Sequence, residues 1–314
     1  MAITTQQAYV DLAALREQTK AEVSRVVVGQ DHAVELLLVA ALAHGHVLLE
    51  GPPGSAKTLL GRAMAYVFGA EFRRMQFTPD TTPEEITGHF EKKAGELVFV
   101  KGVVFANVLL ADEINRTPPR TQAALLEAMQ ERTVTVEGQT QRLPDPFLVI
   151  ATQNPYEHEG IFTLPESQLD RFLFKIELDY CDAESEVAML RLPHTGVTPD
   201  MLGEIRPLLG IVGLDKARQE LDSTEVPEPV ARYVVRLVRC TREISGVQLG
   251  ASSRAAIHLL SASKANARLE GRDAVSIEDV RSVAPYVLRH RLICEAGTTP
   301  DDALQRTLTL VPGP

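Results

Sequence analysis

Two stretches of the chain hold residue types that could do chemistry together. Gly51-Pro52-Pro53-Gly54-Ser55-Ala56-Lys57-Thr58 follows the apolar run Val47-Leu48-Leu49 and precedes a helical pattern from Leu59 to Ala65. A strand, a glycine-containing loop, Lys-Thr and then a helix is the setting of a phosphate-binding loop. Its backbone N–H groups and the positive end of the following helix would meet phosphate oxygens. Lys57 would reach the terminal phosphates, and the Thr58 hydroxyl would hold a magnesium ion. The second stretch, Asn107-Val108-Leu109-Leu110-Ala111, ends in Asp112-Glu113. An almost continuous apolar run fits a buried parallel strand, and side-chain alternation would point its two terminal carboxylates in different directions. That geometry suits a division of labour, with Asp112 supporting a magnesium shell and Glu113 polarising an attacking water. Helix capping is the alternative for the Asp-Glu pair, and it is the weaker reading beside a phosphate loop.

Ala56 stands where the generic loop has a second glycine. Its methyl group tolerates positive φ poorly, so Ala56 is expected in a right-handed conformation already entering the helix, with Gly54 as the flexible hinge. Three further polar residues sit at suggestive places. Asn154 closes the apolar strand pattern Phe147 to Ala151, and the carboxyl edge of a parallel sheet is where such sheets bind ligands. It would orient a lytic water or touch a terminal phosphate. Arg171 comes immediately before the apolar strand Phe172 to Leu178. It reads either as a surface ion pair with Asp170 or as a charge presented to a neighbouring subunit's nucleotide. Arg254 lies in the first turn of a helix capped by Ser252 or Ser253. A cation there is awkward, since helix starts favour negative charge; a nearby phosphate would relieve it, and plain solvation competes.

The elements that must position these residues fall into two regions. At 314 residues the chain is long enough for about two domains. Its 45% apolar and 24% charged residues are those of a globular protein able to bury a core. Up to about residue 180 strands alternate with helices. An amphipathic helix is expected over 7–25, including Tyr9, and a second from about Asp31 to Ala43. Strands are expected at Val47 to Glu50, Phe72 to Phe77, Asn107 to Ala111, Phe147 to Ala151 and Phe172 to Leu178. A short helix should begin near Pro83. Residues 96–104 read as one inserted hairpin, and Thr133 to Val136 against Gln141 to Leu143 as a second. After Tyr180 only helical periodicity remains, which puts a boundary near 180: residues 1–180 as an α/β core and 181–314 as a helical unit. His44 and His46 flank Gly45 with no matching ligand spacing and read as turn residues rather than metal ligands.

Composition narrows the function classes. The net charge of −10 disfavours general polyanion binding. The two hairpins do not supply a local basic groove either. Residues 83–104 carry four glutamates against three lysines, and 131–145 carry three carboxylates against two arginines. No apolar run reaches the roughly 20 residues of a membrane span, and the amino terminus lacks the charged and apolar regions of a signal peptide. The three cysteines, Cys181, Cys240 and Cys294, are widely spaced and fit reduced thiols of a cytoplasmic protein.

Taken in order, these landmarks resemble the MoxR family of AAA+ ATPases over essentially the whole chain. The matching segments are Val28-Gly29-Gln30, the loop 51–58 with its alanine, Leu109 to Gln122 (LLADEINRTPPRTQ), Leu125 to Glu131 (LLEAMQE), Ala151 to Pro155 (ATQNP), Leu164 to Phe172 (LPESQLDRF) and Gly250 to Ala255 (GASSRA). The resemblance implies a P-loop NTPase fold: a five-stranded parallel sheet flanked by helices, then an all-helical lid, with nucleotide between them. It implies Walker A at 51–58 and Walker B at Asp112 and Glu113, with Asn154 as sensor 1, Arg171 as an arginine finger acting in trans and Arg254 as sensor 2. ATP or ADP would contact Gly51, Pro52, Pro53, Gly54, Ser55, Ala56, Lys57, Thr58, Leu59 and Asp112, with Gly29 and Gln30 near the adenine. Magnesium would be held by Thr58 and Asp112. The hairpins become the helix-2 insert and the hairpin before sensor 1. Implied partners are further copies in a ring, typically a hexamer, and von Willebrand factor A domain proteins or other client proteins. A DNA-directed motor and a nucleotide-gated binding protein with little turnover are the competing classes; hairpin charge opposes the first and the intact Glu113 the second.

Overall fold

The computed structural model describes residues 11–93, 95–156, 160–195 and 198–313; Tyr9, expected in the first helix, lies outside them. That helix, α1 (Leu12–Ser24), starts where the Asp11 carboxylate caps the Ala14 N–H at 3.1 Å. The next, α2 (Asp31–Leu42), is apolar on nearly every face, and residues from Leu36 to Leu42 are all buried. It leads through a turn into β1 (Val47–Glu50). After the phosphate loop come α3 (Lys57–Phe68) and β2 (Phe72–Gln76). The short α4 (Pro83–Thr87) begins at Pro83 as expected, because Thr82 and Glu85 close a reciprocal capping box around it.

The first insert departs from its expected limits. Residues Glu96–Lys101 form only one arm, β4; the other arm is β3 (Gly88–Lys93), in the register Gly88↔Lys101 to Lys93↔Glu96. The cross-strand pair Phe90–Phe99 holds that register, with ring centroids 5.2 Å apart. Then follow β5 (Val108–Asp112), α5 (Pro119–Glu131), and a second hairpin of β6 (Thr133–Val136) and β7 (Gln139–Arg142). That hairpin turns at Glu137-Gly138, both at positive φ. Strand β8 (Leu148–Gln153), helix α6 (Glu166–Leu169) and strand β9 (Phe174–Glu177) complete the sheet region.

The five long-range strands form one parallel sheet in the order β2-β5-β8-β1-β9. Period-two alternation divides its side chains between two cores. Val47, Leu49, Val108, Leu110, Leu148 and Ile150 join one core with α1, α2 and α3. Leu48, Leu109, Ala111, Val149 and Ala151 join the other with Phe77, Leu125, Leu126, Phe147 and Phe172. Apolar burial on both faces explains why these strands read as unbroken apolar runs.

Beyond β9 the chain is mainly helical: α7 (Ala183–Leu190), α8 (Gly210–Asp222), α9 (Glu228–Glu243), α10 (Ser253–Leu269), α11 (Ile277–Leu288) and α12 (Pro300–Leu310). In α9 the buried residues Val230, Tyr233, Val234, Leu237, Val238 and Thr241 recur at helical spacing and make one apolar stripe. Buried side chains of α8 to α12 continue the core that holds α1 and α2. A buried arginine reinforces the join: Arg218 of α8 donates to the Ala41 carbonyl at 2.9 Å and pairs with Asp145 at 3.2 Å.

Candidate nucleotide site

The loop between β1 and α3 turns sharply at the carboxyl edge of the sheet. A Cβ on Gly51 would lie 2.4 Å from the Leu178 carbonyl oxygen, so only glycine fits where β1 leaves the sheet. Gly54 takes φ +84°. Ala56 does not enter the helix in a right-handed conformation as its sequence suggests; it caps α3 in the left-handed region, at φ +63° and ψ +14°. Closing a concave loop onto a helix start requires that turn, and alanine meets it at a cost of about 1–2 kcal/mol. The Ser55 hydroxyl braces the loop by donating to the Pro52 carbonyl at 2.9 Å. Lys57 Nζ donates to the Gly51 and Pro52 carbonyls at 2.8 and 2.7 Å, holding the ammonium inside the loop.

Across from the loop, β5 presents Asp112, a nearly buried carboxylate. Its Oδ1 accepts a 2.6 Å bond from the Thr152 hydroxyl, and its Oδ2 accepts from Arg74 Nη2 at 2.7 Å and Nε at 3.0 Å. The Thr58 hydroxyl lies 3.3 Å from the same Oδ2. Glu113 diverges from Asp112 by more than strand alternation, because β5 ends at Asp112 and Glu113 adopts a left-handed φ of +58°. The Glu113 N–H donates to Thr152 Oγ1 at 2.9 Å. Its carboxylate accepts from Gln76 Nε2 at 2.6 Å and Arg116 Nε at 2.8 Å. Asn154, buried just beyond β8, accepts the Tyr156 N–H on its Oδ1 at 3.1 Å.

These groups face one cavity of about 530 Å³, a size suited to a small-molecule ligand. From the loop, Pro53, Gly54, Ala56, Lys57, Thr58 and Leu59 line it, together with Asp112, Glu113 and Asn154. Gly29 and Gln30 are not among its lining residues. They lie against the crossover that follows β9, where Gln30 Nε2 donates to the Asp179 carbonyl at 3.2 Å.

Arg171 and Arg254 lie elsewhere. They line a separate cavity of about 190 Å³ with His44, Met129, Arg132 and His258, and no residue of the phosphate loop borders it. Arg254, which the resemblance makes sensor 2, is therefore grouped with Arg171 rather than with the phosphate loop. Arg171 does not pair with Asp170. It donates from Nη1 to the Leu126 carbonyl at 2.7 Å, while its Nε is buried with no partner. Asp170 serves the helical region: it accepts from Arg291 Nε at 2.7 Å and Ser252 Oγ at 3.1 Å, and lies 3.6 Å from Arg254 Nη1. This carboxylate offsets the arginine in the first turn of α10, where Ser252 caps the Ala255 N–H at 3.1 Å.

Residues 46–174 match the model of the ATPase family associated with various cellular activities, and residues 239–307 match the AAA lid domain. The chain is 46% identical to Chaperone MoxR1 of Mycobacterium tuberculosis, over 87% of this chain and 74% of that one. It is 33% identical to Protein MoxR of Paracoccus denitrificans, over 90% and 89% respectively. The chain belongs to the MoxR family of AAA+ ATPases. A crystal structure of a candidate ATPase from Cytophaga hutchinsonii superposes with a TM-score of 0.88 at 37% identity, covering 96% of both chains.

For a MoxR-family chain, the donor set is right for a hard cation and a triphosphate. Thr58 Oγ1 and Asp112 Oδ2 are hard oxygen ligands close enough to share one ion. The left-handed turns at Gly54 and Ala56, just ahead of a helix start, shape an anion-binding loop. Sequence reasoning missed Thr152, Arg74 and Gln76. Thr152 hides inside an apolar strand, and only the β2–β5 register, which sets Gln76 opposite Asp112, reveals the polar residues of β2. It also undervalued His46, which is no turn residue. Its Nδ1 accepts the Val149 N–H at 2.9 Å, so Nε2 carries the proton and donates to the Met129 carbonyl at 3.1 Å. Burial pushes its pKa down to about 3, keeping it neutral. No helix among the described residues is long and apolar enough to cross a membrane.

Proposed function

We propose that this MoxR-family chain hydrolyses ATP to ADP and phosphate at the interfaces of a ring, typically a hexamer, in a magnesium-dependent reaction. The observation that carries this reading is the partition of the catalytic groups. The phosphate loop, Asp112, Glu113 and Asn154 share one cavity, while Arg171 and Arg254 share another. Neither cavity is complete alone, and each supplies what the other lacks. A triphosphate in the first, met by the arginines of an adjacent copy, would join the two halves.

In that arrangement Lys57 binds the terminal phosphates, and the loop and α3 start hold the rest of the chain of phosphates. Thr58 and Asp112 would hold magnesium, which supplies Lewis-acid neutralisation of phosphate oxygens there. Asn154 orients the water, and Glu113 draws its proton once it gives up its bond to Gln76 or Arg116. Arg171 and Arg254 of the neighbour stabilise the charge that spreads over the transferring phosphoryl group. A finger supplied from outside is worth roughly 10³–10⁵ in turnover, or about 4–7 kcal/mol, so a lone subunit binds ATP and turns it over slowly. Movement of the helical unit beyond about residue 180 then delivers force to clients.

The likeness to Chaperone MoxR1 supports a chaperone-like role, which we extend to remodelling or maturing partner proteins in the cytoplasm, together with von Willebrand factor A domain proteins or on other clients. The test of the chemistry is Glu113→Gln. It should retain ATP binding and lose nearly all phosphate release; wild-type turnover would remove Glu113 from its role.

A further inference from the structure

The two arginines of the second cavity come from different parts of the fold. Arg171 precedes β9, whereas Arg254 opens α10, over eighty residues later. For both to meet one phosphoryl group, something must fix their relative position. The side chain at that junction is Arg291, just beyond α11 and only 2% exposed. Its guanidinium Nε donates to Asp170 Oδ1 at 2.7 Å, and its Nη2 donates to the Asp170 and Phe172 carbonyls at 3.1 and 2.6 Å. One planar group thus grips the backbone on either side of Arg171. The same Nη2 lies 2.6 Å from His258 Nδ1, one turn beyond Arg254 on α10. Asp170 completes the loop, since it also accepts the hydroxyl of Ser252, the cap of that helix, and lies 3.6 Å from Arg254.

The protonation states are consistent. His258 must accept from the guanidinium, which requires a neutral ring, and burial with the neighbouring Arg291 holds its pKa down to about 4. Burial also lowers the Arg291 pKa, to about 10, which leaves the guanidinium charged at neutral pH.

We propose that Arg291, clamped to Asp170, is a positioning residue that locks Arg171 and Arg254 into a single anion-receiving unit. The proposal rests on the reading that these arginines act on a neighbour's nucleotide. A plain weld between the sheet region and the helical region is the competing role, and it would show as lost stability without a trans signature. Lysine cannot reproduce the fork, because its three donors share one rotatable nitrogen and cannot span the positions that the rigid planar guanidinium reaches. Displacing a catalytic group by about 1 Å costs roughly 10²-fold in rate.

The experiment compares full-length Arg291→Lys and Asp170→Asn with Arg171→Ala, each alone and co-assembled with Glu113→Gln subunits. Expected for Arg291→Lys are ATP binding within about twofold of wild type, turnover reduced on the order of 10²-fold, and recovery of turnover in co-assembled rings. Recovery follows because the variant keeps its own Lys57 and Glu113 and borrows intact arginines from its neighbour. Asp170→Asn should behave alike, and it carries the test if Arg291→Lys fails to fold. Wild-type turnover in the soluble variant, or a loss that Glu113→Gln subunits do not repair while they do repair Arg171→Ala, would overturn the positioning role. If Arg171→Ala itself is not repaired in verified mixed rings, the trans reading fails first and takes the proposal with it.

Discussion

Replacing Arg74 with methionine should make the site bind its metal more tightly. In the structure the Arg74 guanidinium makes two bonds to Asp112 Oδ2, of 2.7 and 3.0 Å, on the oxygen nearest the Thr58 hydroxyl. A cation using that oxygen must displace them. Hydrogen bonds to charged groups are worth about 1.5–3 kcal/mol net. Arg74 is 47% exposed, although Asp112 is only 9% exposed, so water compensates for part of the loss and the lower end applies, about 1–1.5 kcal/mol. At about 1.4 kcal/mol per decade, Arg74→Met should lower the metal midpoint about tenfold. Methionine keeps an unbranched stem and removes both the donors and the positive charge, and these changes act in the same direction. Manganese binding read by electron paramagnetic resonance, with saturating ADP, measures this without relying on turnover. An unchanged or raised midpoint would refute the reasoning: Arg74 would then yield Asp112 at no cost, or would itself help to hold the nucleotide.

Two stability predictions follow from the same geometry. His46 binds protons only near pH 3 when folded but near pH 6.5 when unfolded. The unfolded state therefore takes up more protons as pH falls below about 6.5, and stability declines by about 1.4 kcal/mol per unit. Between pH 6.5 and 4.5 the wild type should lose about 2–3 kcal/mol more than His46→Gln in denaturant unfolding; equal losses would show that His46 is not excluded from protonation. Gly51→Ala should destabilise by about 1–3 kcal/mol through overpacking, since the new methyl meets the immovable Leu178 carbonyl. The same variant should lose ATP affinity by more than about tenfold if the displaced loop is the phosphate site, and isothermal titration would expose an unaffected loop.

The parts of this protein legible in its sequence are those fixed by neighbours in the chain. Val47 to Thr58 read correctly as strand, loop and helix because burial, glycine placement and the Lys-Thr pair lie within one turn of structure. The apolar runs before Asp112 and Asn154 read correctly as buried strands. Local preference misled at Ala56, where propensity argued against the left-handed turn that loop closure imposes. It also hid β3, whose residues Gly88-His89-Phe90-Glu91-Lys92-Lys93 contain no β-branched side chain and owe their strand to pairing with β4. The destination of Arg254 was beyond local reading altogether. It depends on how α10 docks against the residues before β9, a junction bridged by Asp170 and Arg291, which are distant in sequence.

Each charge that the proposed mechanism assigns to catalysis has an internal partner in the lone chain. Asp112 holds Arg74 where a cation would sit, Glu113 holds Gln76 and Arg116 where a water would approach, and Lys57 rests on loop carbonyls. Arg171 is the incomplete case, with one bond to Leu126 and a buried Nε left without a partner. An unsatisfied buried donor of this kind costs about 1–3 kcal/mol, and an arriving phosphate oxygen is among the acceptors that could remove that cost. These contacts leave Lys57, Asp112 and Glu113 partnered within the chain itself. On the proposed trans reading, the orphaned donor would favour a neighbour whose loop is already occupied, and so would couple nucleotide binding in one copy to docking of the next.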